Sequence, residues 1–389
     1  MPSPMDGRSP LMAVCGTRPE VVKLSPVIKA LRARGHRVVL VATGQHADLA
    51  PRMLSEFGLV PDAQLSSGPA GLRPAQVLGS LLTRLPPLVA AWRPSLLLVQ
   101  GDTISALAGA LAGNYARVPV AHVEAGLRTG DQDEPHPEEM QRQLIAPLAS
   151  LHFAPSRRAA EALGREGVPA EHVHVVGNSG IDALFATRDR LAGDRRLQAR
   201  LAARYPFAAQ PGRPLLLATV HRRENQGPRL LAIAAALAHL AAFDGLRVAL
   251  PLHPNPAVHR VLRQQLQGLE NAHLMEPLEH VAMVWMMQRA HLLLTDSGGL
   301  QEEAPSLGLR TLVLRERTER PEAIDAGASE LVPLQSGRIV AAAKRLLAMA
   351  PLQPVHPFGD GRTGESIAAA IERWLGVRQP LPETVAAPA

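Results

Sequence analysis

Carboxylates, cations and histidines recur in this sequence at one kind of place, directly after an apolar run. Leu11-Met12-Ala13-Val14-Cys15 leads into Gly16-Thr17-Arg18-Pro19-Glu20, the run 95–100 into Gly101-Asp102-Thr103, and the run 118–123 into Glu124-Ala125-Gly126-Leu127-Arg128. Later, the run 215–220 leads into His221-Arg222-Arg223-Glu224-Asn225, 247–252 into His253-Pro254-Asn255, and 291–294 into Thr295-Asp296-Ser297-Gly298-Gly299-Leu300-Gln301-Glu302-Glu303. Short apolar runs of this kind read as buried strands. In open parallel sheets the carboxyl edge of the strands is where ligands bind.

The chemistry these residues suggest is the handling of a phosphorylated ligand. A Ser297-Gly298-Gly299 turn between strand and helix gathers backbone N–H groups at the positive end of a helix dipole, which suits a phosphate or pyrophosphate. Glu302 and Glu303 are expected in the first turn of that helix, within reach of hydroxyls on a sugar attached to the phosphate. An ordinary strand-to-helix turn would look the same locally. Arg18 and Lys23 flank a second helix start, where Pro19 is tolerated in the first turn, and two cations there suit a diphosphate. Asp102 and Glu124 taken singly are no more than candidate helix caps. Taken with Arg18 at the same edge, they read as one cleft. Glu138 and Arg142 stand four apart on a helix that opens at Pro137, so they share a face, as an exposed ion pair of little energetic weight also would. Arg320 lies in a charged loop spanning 315–322.

Composition narrows the partners. The 389 residues suggest two or three domains, and 46% hydrophobic with 20% charged residues marks a globular chain with substantial cores. Aromatics are only 3%, which disfavours base stacking, and the net charge of +6 is spread without a basic block, so a small anionic ligand fits better than nucleic acid. Cys15 is the sole cysteine, so neither an internal disulfide nor a thiolate metal site is expected. The histidines lack ligand spacing, and no metal is expected. No apolar run reaches membrane-spanning length, and the stretch 1–10 is polar and proline-rich, unlike a signal peptide. A cytoplasmic location and no membrane partner are expected.

The elements that must position these residues alternate between strand and helix throughout, which implies two doubly wound parallel-sheet domains facing across a cleft. Residues 11–180 form the first, with six strands expected, and 181–355 the second. One continuous helix is expected over 181–204 and a last one over 365–375, with 356–375 as a terminal segment and 1–10 and 376–389 as tails.

Taken in order, Gly16-Thr17-Arg18-Pro19-Glu20, Gly101-Asp102-Thr103, His122-Val123-Glu124-Ala125-Gly126-Leu127-Arg128-Thr129-Gly130, Pro137-Glu138-Glu139, His221-Arg222-Arg223-Glu224-Asn225, Asp296-Ser297-Gly298-Gly299-Leu300-Gln301-Glu302-Glu303 and Thr318-Glu319-Arg320-Pro321-Glu322 closely resemble the non-hydrolysing UDP-N-acetylglucosamine 2-epimerases. The match runs from about residue 11 to 375 at the family's spacing. The resemblance implies the two-domain fold of the B-type glycosyltransferases (GT-B), a last helix returning to the first domain, and commonly a homodimer. It implies interconversion of UDP-GlcNAc and UDP-ManNAc through elimination of UDP to a 2-acetamidoglucal, without a cofactor. Asp102, Glu124 and Glu138 become candidates for proton transfer at the two faces of C2, and His221 the acid toward the leaving phosphate. Arg18, Lys23 and Arg142 become its cations, Ser297, Gly298 and Gly299 the diphosphate cradle, and Glu303 the ribose acceptor. Arg320 helps hold the nucleotide and His253 lines the cleft.

The sequence departs from the family pattern in places. Met283 stands where an aromatic near the uracil is common, and His136 and Gln141 replace an aromatic and an asparagine. Gln45 and His46 match a turn that in many members contacts a second, activating UDP-GlcNAc. Asp48 and Ala70 replace longer polar side chains there, which argues against activation and leaves room for a modified N-acetyl sugar. A hydrolysing 2-epimerase, a glycosyltransferase of the same fold and a non-enzymatic UDP-sugar sensor are the other readings.

Overall fold

The computed structural model describes residues 9–45, 50–66, 68, 71–243, 245–253 and 255–378. His46, Asp48 and Ala70 lie outside the described residues. The first half runs β1 (Leu11–Cys15), α1 (Arg18–Ala33), β2 (Val38–Ala42), α2 (Ala50–Glu56), β3 (Ala63–Gln64), α3 (Pro74–Trp92) and β4 (Leu96–Gln100). It continues with α4 (Ile104–Tyr115), β5 (Val120–Val123), α5 (Glu138–Ile145), β6 (Leu151–Ala154), α6 (Arg157–Arg165) and β7 (Val173–Val175). Then follow α7 (Ser179–Gly193), α8 (Arg195–Arg204), α9 (Pro206–Ala209), β8 (Leu215–Thr219), α10 (Pro228–Ala241), β9 (Arg247–Pro251), α11 (Pro256–Leu266) and β10 (Ala272–Met275). The chain closes with α12 (His280–Met287), β11 (Leu292–Thr295), α13 (Gly298–Ser306), β12 (Thr311–Val313), α14 (Glu322–Asp325), β13 (Ser329–Leu331), α15 (Ser336–Leu347) and α16 (Thr363–Arg378).

Two parallel sheets result, ordered β3-β2-β1-β4-β5-β6-β7 and β10-β9-β8-β11-β12-β13. Their central strands are buried along their whole length, as expected when helices cover both faces. Alternation along a strand divides its side chains between two cores. In β1, Leu11, Ala13 and Cys15 pack toward α1 and α16, whereas Met12 and Val14 pack toward α3 and α4. In the second sheet Leu216 and Ala218 face α10 and α15, while Leu215 and Leu217 face α7, α12 and α13. The expected parallel-sheet architecture is therefore present in both halves.

Several local expectations are corrected. The first sheet has seven strands, because the two-residue edge strand β3 pairs Ala63 and Gln64 with Val41 and Ala42. It is too short and polar to carry an apolar run. The helix expected over 181–204 is two helices. Asp194 ends α7 and caps α8, its side chain accepting from Leu197 N at 2.9 Å. Helix α13 begins at Gly298 with Ser297 as its N-cap, so Glu302 and Glu303 sit in the second turn instead of the first.

The last helix packs on the first sheet's core, with Ile367, Ala368 and Ile371 buried among α1 and β1 side chains. Its start is held by Asp182, which accepts from Thr363 N at 3.2 Å and Gly364 N at 2.7 Å. Gly364 is required for that approach, since a Cβ there would lie 2.8 Å from the backbone of Pro26. Among the described residues no helix is long and apolar enough to cross a membrane. Ile371 is fully buried, so Ile371→Ala is expected to destabilise the first half by about 2–5 kcal/mol. Denaturant unfolding followed by circular dichroism would read this loss.

Candidate active site

Each sheet reverses its strand order beside one strand. β1 lies between β2 and β4, and β8 lies between β9 and β11. Such switch points open a crevice at the carboxyl edge, and the charged strand ends cluster at both. After β1 comes Arg18, after β4 Asp102, after β8 His221 and after β11 Asp296. The two edges meet. Lys23 Nζ lies 2.6 Å from Glu124 Oε1 and 3.2 Å from Glu302 Oε2, across the halves. Arg320 reaches Glu302 Oε1 at 2.7 Å and Glu124 Oε1 at 3.3 Å. Arg18 Nη1 donates to the Leu278 carbonyl at 2.5 Å.

A second knot centres on Glu319, whose side chain is fully buried. It is shared by Arg315 at 2.7 Å, Arg142 at 3.4 Å and Arg222 at 4.0 Å, and Arg320 also contacts it. Arg142 in turn holds Asp102 Oδ2 at 2.6 Å and Glu139 Oε2 at 3.2 Å. Burial alone would raise the Glu319 carboxyl, but Arg320, Arg142, Arg315 and Arg222 outweigh it and hold it well below the usual carboxylate range.

The two carboxylates at the first sheet's edge are pushed in opposite directions. Burial raises both. For Asp102 the guanidinium of Arg142, with Arg320 and Arg222, overcomes burial and brings it below its ordinary value. For Glu124 burial prevails over Lys23 and Arg320, helped by the nearby Glu302 and Asp102, and the carboxyl ends up raised. Glu124 is also held in the left-handed region at φ 66, a conformation that costs a non-glycine residue energy. That turn aims its side chain back along the sheet edge, where the Gln100 side-chain amide donates to Oε2. Thr103, not Asp102, caps α4 by accepting from Ala106 N at 3.0 Å, which leaves Asp102 for Arg142. Glu20 fastens the β1 and β4 loops together. It accepts from Gly16 N and Thr17 N at 3.0 and 2.7 Å and from Thr103 Oγ1 at 2.7 Å, and burial raises its carboxyl to about 7.

On the second sheet, His221 Nδ1 stands 2.8 Å from Asp296 Oδ1. Asp296 also accepts from the backbone N–H groups of His221 and Arg222 and from Asn225 Nδ2 at 3.0 Å. Those bonds and the histidine overcome burial and lower its carboxyl. The imidazole is thus held by Nδ1, with Nε2 as its other nitrogen, and its ring lies 5.9 Å from that of His253. The Arg320 guanidinium lies against Gly298. An added Cβ would come within 2.6 Å of the guanidinium. Glu303 is nearly buried, and burial raises its carboxyl to about 7 against the pull of Lys23.

Most of the expected site residues are therefore gathered, with two qualifications. Glu138, half-buried in the first turn of α5, does not pair with Arg142. Glu139, one residue on, takes that place, and among the described residues the Glu138 side chain makes no hydrogen bond or ion pair. Gln45 turns inward, its Oε1 accepting from Ser105 Oγ at 2.7 Å. Sequence reasoning missed Glu319, Glu139, Asp296 and Arg222 as contributors. All four lie inside the charged motifs, next to a residue that was singled out. It also missed Asn178, which donates to Glu302 Oε2 at 2.7 Å and had no local signal beyond its place in a Gly-Asn-Ser-Gly loop. Among the described residues no cluster of potential metal ligands occurs.

Comparison with known proteins gives this geometry a family. A profile described as UDP-N-acetylglucosamine 2-epimerase matches residues 29–372. The chain belongs to the UDP-N-acetylglucosamine 2-epimerase family. The enzyme of that name from Salmonella typhimurium is 42% identical over 371 residues, covering 94% of this chain and 98% of the relative. That of Escherichia coli is 40% identical over 369 residues, covering 93% and 98%. A crystal structure of UDP-GlcNAc 2-epimerase from Neisseria meningitidis, bound to UDP-GlcNAc, has a TM-score of 0.89 at 34% identity and covers 93% of this chain and 99% of that one. The epimerase resemblance and the GT-B architecture are thereby both supported over nearly the whole length.

Removing one partner from a buried ion network leaves uncompensated charge, at a cost of about 3–5 kcal/mol. Glu319→Ala is expected to lose that much in equilibrium unfolding at pH 7. The Glu319 carboxyl is lowered on folding, so its contribution is complete above the unfolded value near 4.5. It is lost as pH falls through the lower folded value, so the gap between wild type and variant should narrow progressively below about pH 4.

Proposed function

We propose that this chain interconverts UDP-GlcNAc and UDP-ManNAc by anti-elimination of UDP and its re-addition. The observation that carries the reading is the meeting, in one cleft, of carboxylates from the first half with the His221–Asp296 pair and the start of α13 from the second. The relative crystallised with UDP-GlcNAc supports the substrate.

In the first step a carboxylate takes the C2 proton. The C–H electrons become the C1–C2 double bond, and the C1–O bond breaks with its electron pair leaving on UDP. The product is 2-acetamidoglucal. In the second step UDP adds back at C1 and a proton is delivered to the opposite face of C2. The sequence is redox neutral, and every proton removed is returned. It needs two proton-handling carboxyls on different faces, for which Asp102, Glu124 and Glu138 are the candidates. Opposed environments favour a division of labour. Glu124, raised by burial, is suited to exchange a proton, whereas Asp102 is held ionised by Arg142. Glu138 is the carboxylate of the three that has no ion-pair partner among the described residues.

Departure of UDP concentrates charge on its phosphate. His221, held through Nδ1 by Asp296, is placed to donate from Nε2. Ser297, Gly298 and Gly299 at the start of α13 supply backbone N–H groups and the helix dipole. Arg18, Lys23, Arg142 and Arg320 are the cations of the cleft that can turn toward the developing anion. Glu303 is the acceptor for the ribose hydroxyls, and His253 flanks His221.

Incubation with UDP-GlcNAc in deuterium oxide should yield UDP-ManNAc with deuterium at C2, followed by NMR of the anomeric protons. Glu124→Gln and Glu138→Gln are each expected to lower kcat by about 10²–10⁴-fold, the usual contribution of a general acid or base. Related UDP-sugars run in parallel define the sugar accepted. Absence of C2 exchange with all of them would sink the epimerase reading, and free ManNAc appearing in step with UDP would replace it with a hydrolysing one.

A further inference from the structure

Glu302 has no part in the proposed reaction, yet it is among the most completely engaged side chains in the cleft. Its Oε1 accepts from Arg320 Nε at 2.7 Å. Its Oε2 accepts from Lys23 Nζ at 3.2 Å and from Asn178 Nδ2 at 2.7 Å. The same two cations reach a single oxygen of Glu124, Lys23 at 2.6 Å and Arg320 at 3.3 Å. Two carboxylates and two cations therefore close a ring, and that ring spans the two halves. Lys23 on α1, Glu124 after β5 and Asn178 at the start of α7 lie on one side. Glu302 on α13 and Arg320 after β12 lie on the other.

We propose that Glu302 is a positioning residue, which from the opposite half holds Lys23 and Arg320 on Glu124 and shares their charge, so that Glu124 stays basic enough to take a proton. The inference rests on the reading of Glu124 as a proton-handling group. The charge arithmetic is simple. With Glu302 ionised, two positive and two negative groups balance. Without its charge, Lys23 is left to Glu124 and Arg320 to Glu124 and Glu319, so both cations act more strongly on Glu124, which then binds a proton less well. The charged and polar groups facing Glu124 are Lys23 from α1, Arg320 from the loop after β12, Glu302 from α13, and Asp102 and Gln100 from the end of β4. Asp102 adds a smaller push in the same direction as Glu302 and is itself paired with Arg142. Glu302 is therefore the carboxylate besides Glu124 that offsets Lys23, and it shares Arg320 with Glu319. Asn178, which also caps α7 by accepting from Gly180 N at 2.8 Å, fixes Glu302 in this orientation.

The test is the pH dependence of C2 exchange and of epimerisation of UDP-GlcNAc in wild type, Glu302→Gln and Glu302→Asp. Glu302→Gln keeps the shape and the Asn178 contact but removes the charge. It is expected to lower kcat by about tenfold or more with KM changed by no more than about threefold, the signature of an effect on the chemical step. The acidic limb of its kcat/KM profile should move to lower pH, because a weaker base stays deprotonated further into acid. Glu302→Asp keeps the charge but is one methylene too short to hold both cations. Its kcat should fall while its acidic limb stays with wild type. A residue that only supported the fold would leave the limb where it is in both variants.

A folded Glu302→Gln protein with wild-type kcat and an unmoved acidic limb overturns the proposal. If that variant does not fold, a Glu302→Asp protein of undiminished kcat overturns it equally. Wild-type protein that exchanges nothing at C2 overturns the epimerase reading, and this inference with it.

Discussion

The buried charges at the cleft govern the rest of the structure. Lys23, Arg142, Arg315 and Arg320 have nearly buried side chains, and so do Glu124, Glu302 and Glu319. Ions taken out of water lose solvation that a low-dielectric interior returns only through close, well-directed partners. Each group here has such a partner, and for several of them it comes from the other half of the chain. The halves are therefore matched by charge as well as by shape. Apolar residues of similar volume would hold them together at least as well. An arrangement of this kind is worth its desolvation where a field is needed, as at a leaving diphosphate.

The same constraint sets the behaviour of the individual acids. Asp102 and Glu124 follow neighbouring strands of one sheet, with the Asp102 side chain partly exposed and that of Glu124 nearly buried. They differ because at Asp102 the guanidinium of Arg142, with Arg320 and Arg222, outweighs burial, whereas at Glu124 the neighbouring Glu302 adds to burial against Lys23 and Arg320. The backbone arranges this difference. Thr103 takes over the helix cap that would otherwise occupy Asp102. A left-handed turn at Glu124 brings its carboxyl to Lys23 and Gln100. Sheet topology does the coarser work, because parallel strands reversing their order at β1/β4 and β8/β11 leave open the two edges at which these residues sit.

Much of this was legible from local pattern. Apolar runs marked the central strands of both sheets, and the residues after them marked the cleft. The strands that escaped, β3 and β13, are two and three residues long at sheet edges, where neither length nor burial leaves an apolar signature. The break between α7 and α8 escaped because Asp194 is an unremarkable polar residue until it caps. In the site, Arg142 was found but its partner was misread. A spacing of four suggested Glu138, while a spacing of three gave Glu139 the contact. Both spacings share a helix face, and only the direction of approach to the sheet decides between them.

The sequence by itself determined the family, the two parallel-sheet domains and the edge at which the chemistry gathers. Those follow from local hydrophobic period, turn residues and motif order, which are properties of neighbours in the chain. Tertiary structure alone decided which charge faces which. Glu302 and Glu303 are adjacent in sequence, but successive helical residues point about 100° apart. One turned into the ring with Lys23, Arg320 and Asn178, and the other did not. The partners of Glu302 come from 18, 124 and 279 positions away. No local spacing encodes such a meeting. It exists only once both halves have folded and closed on each other, because the charges must find partners wherever water has been excluded.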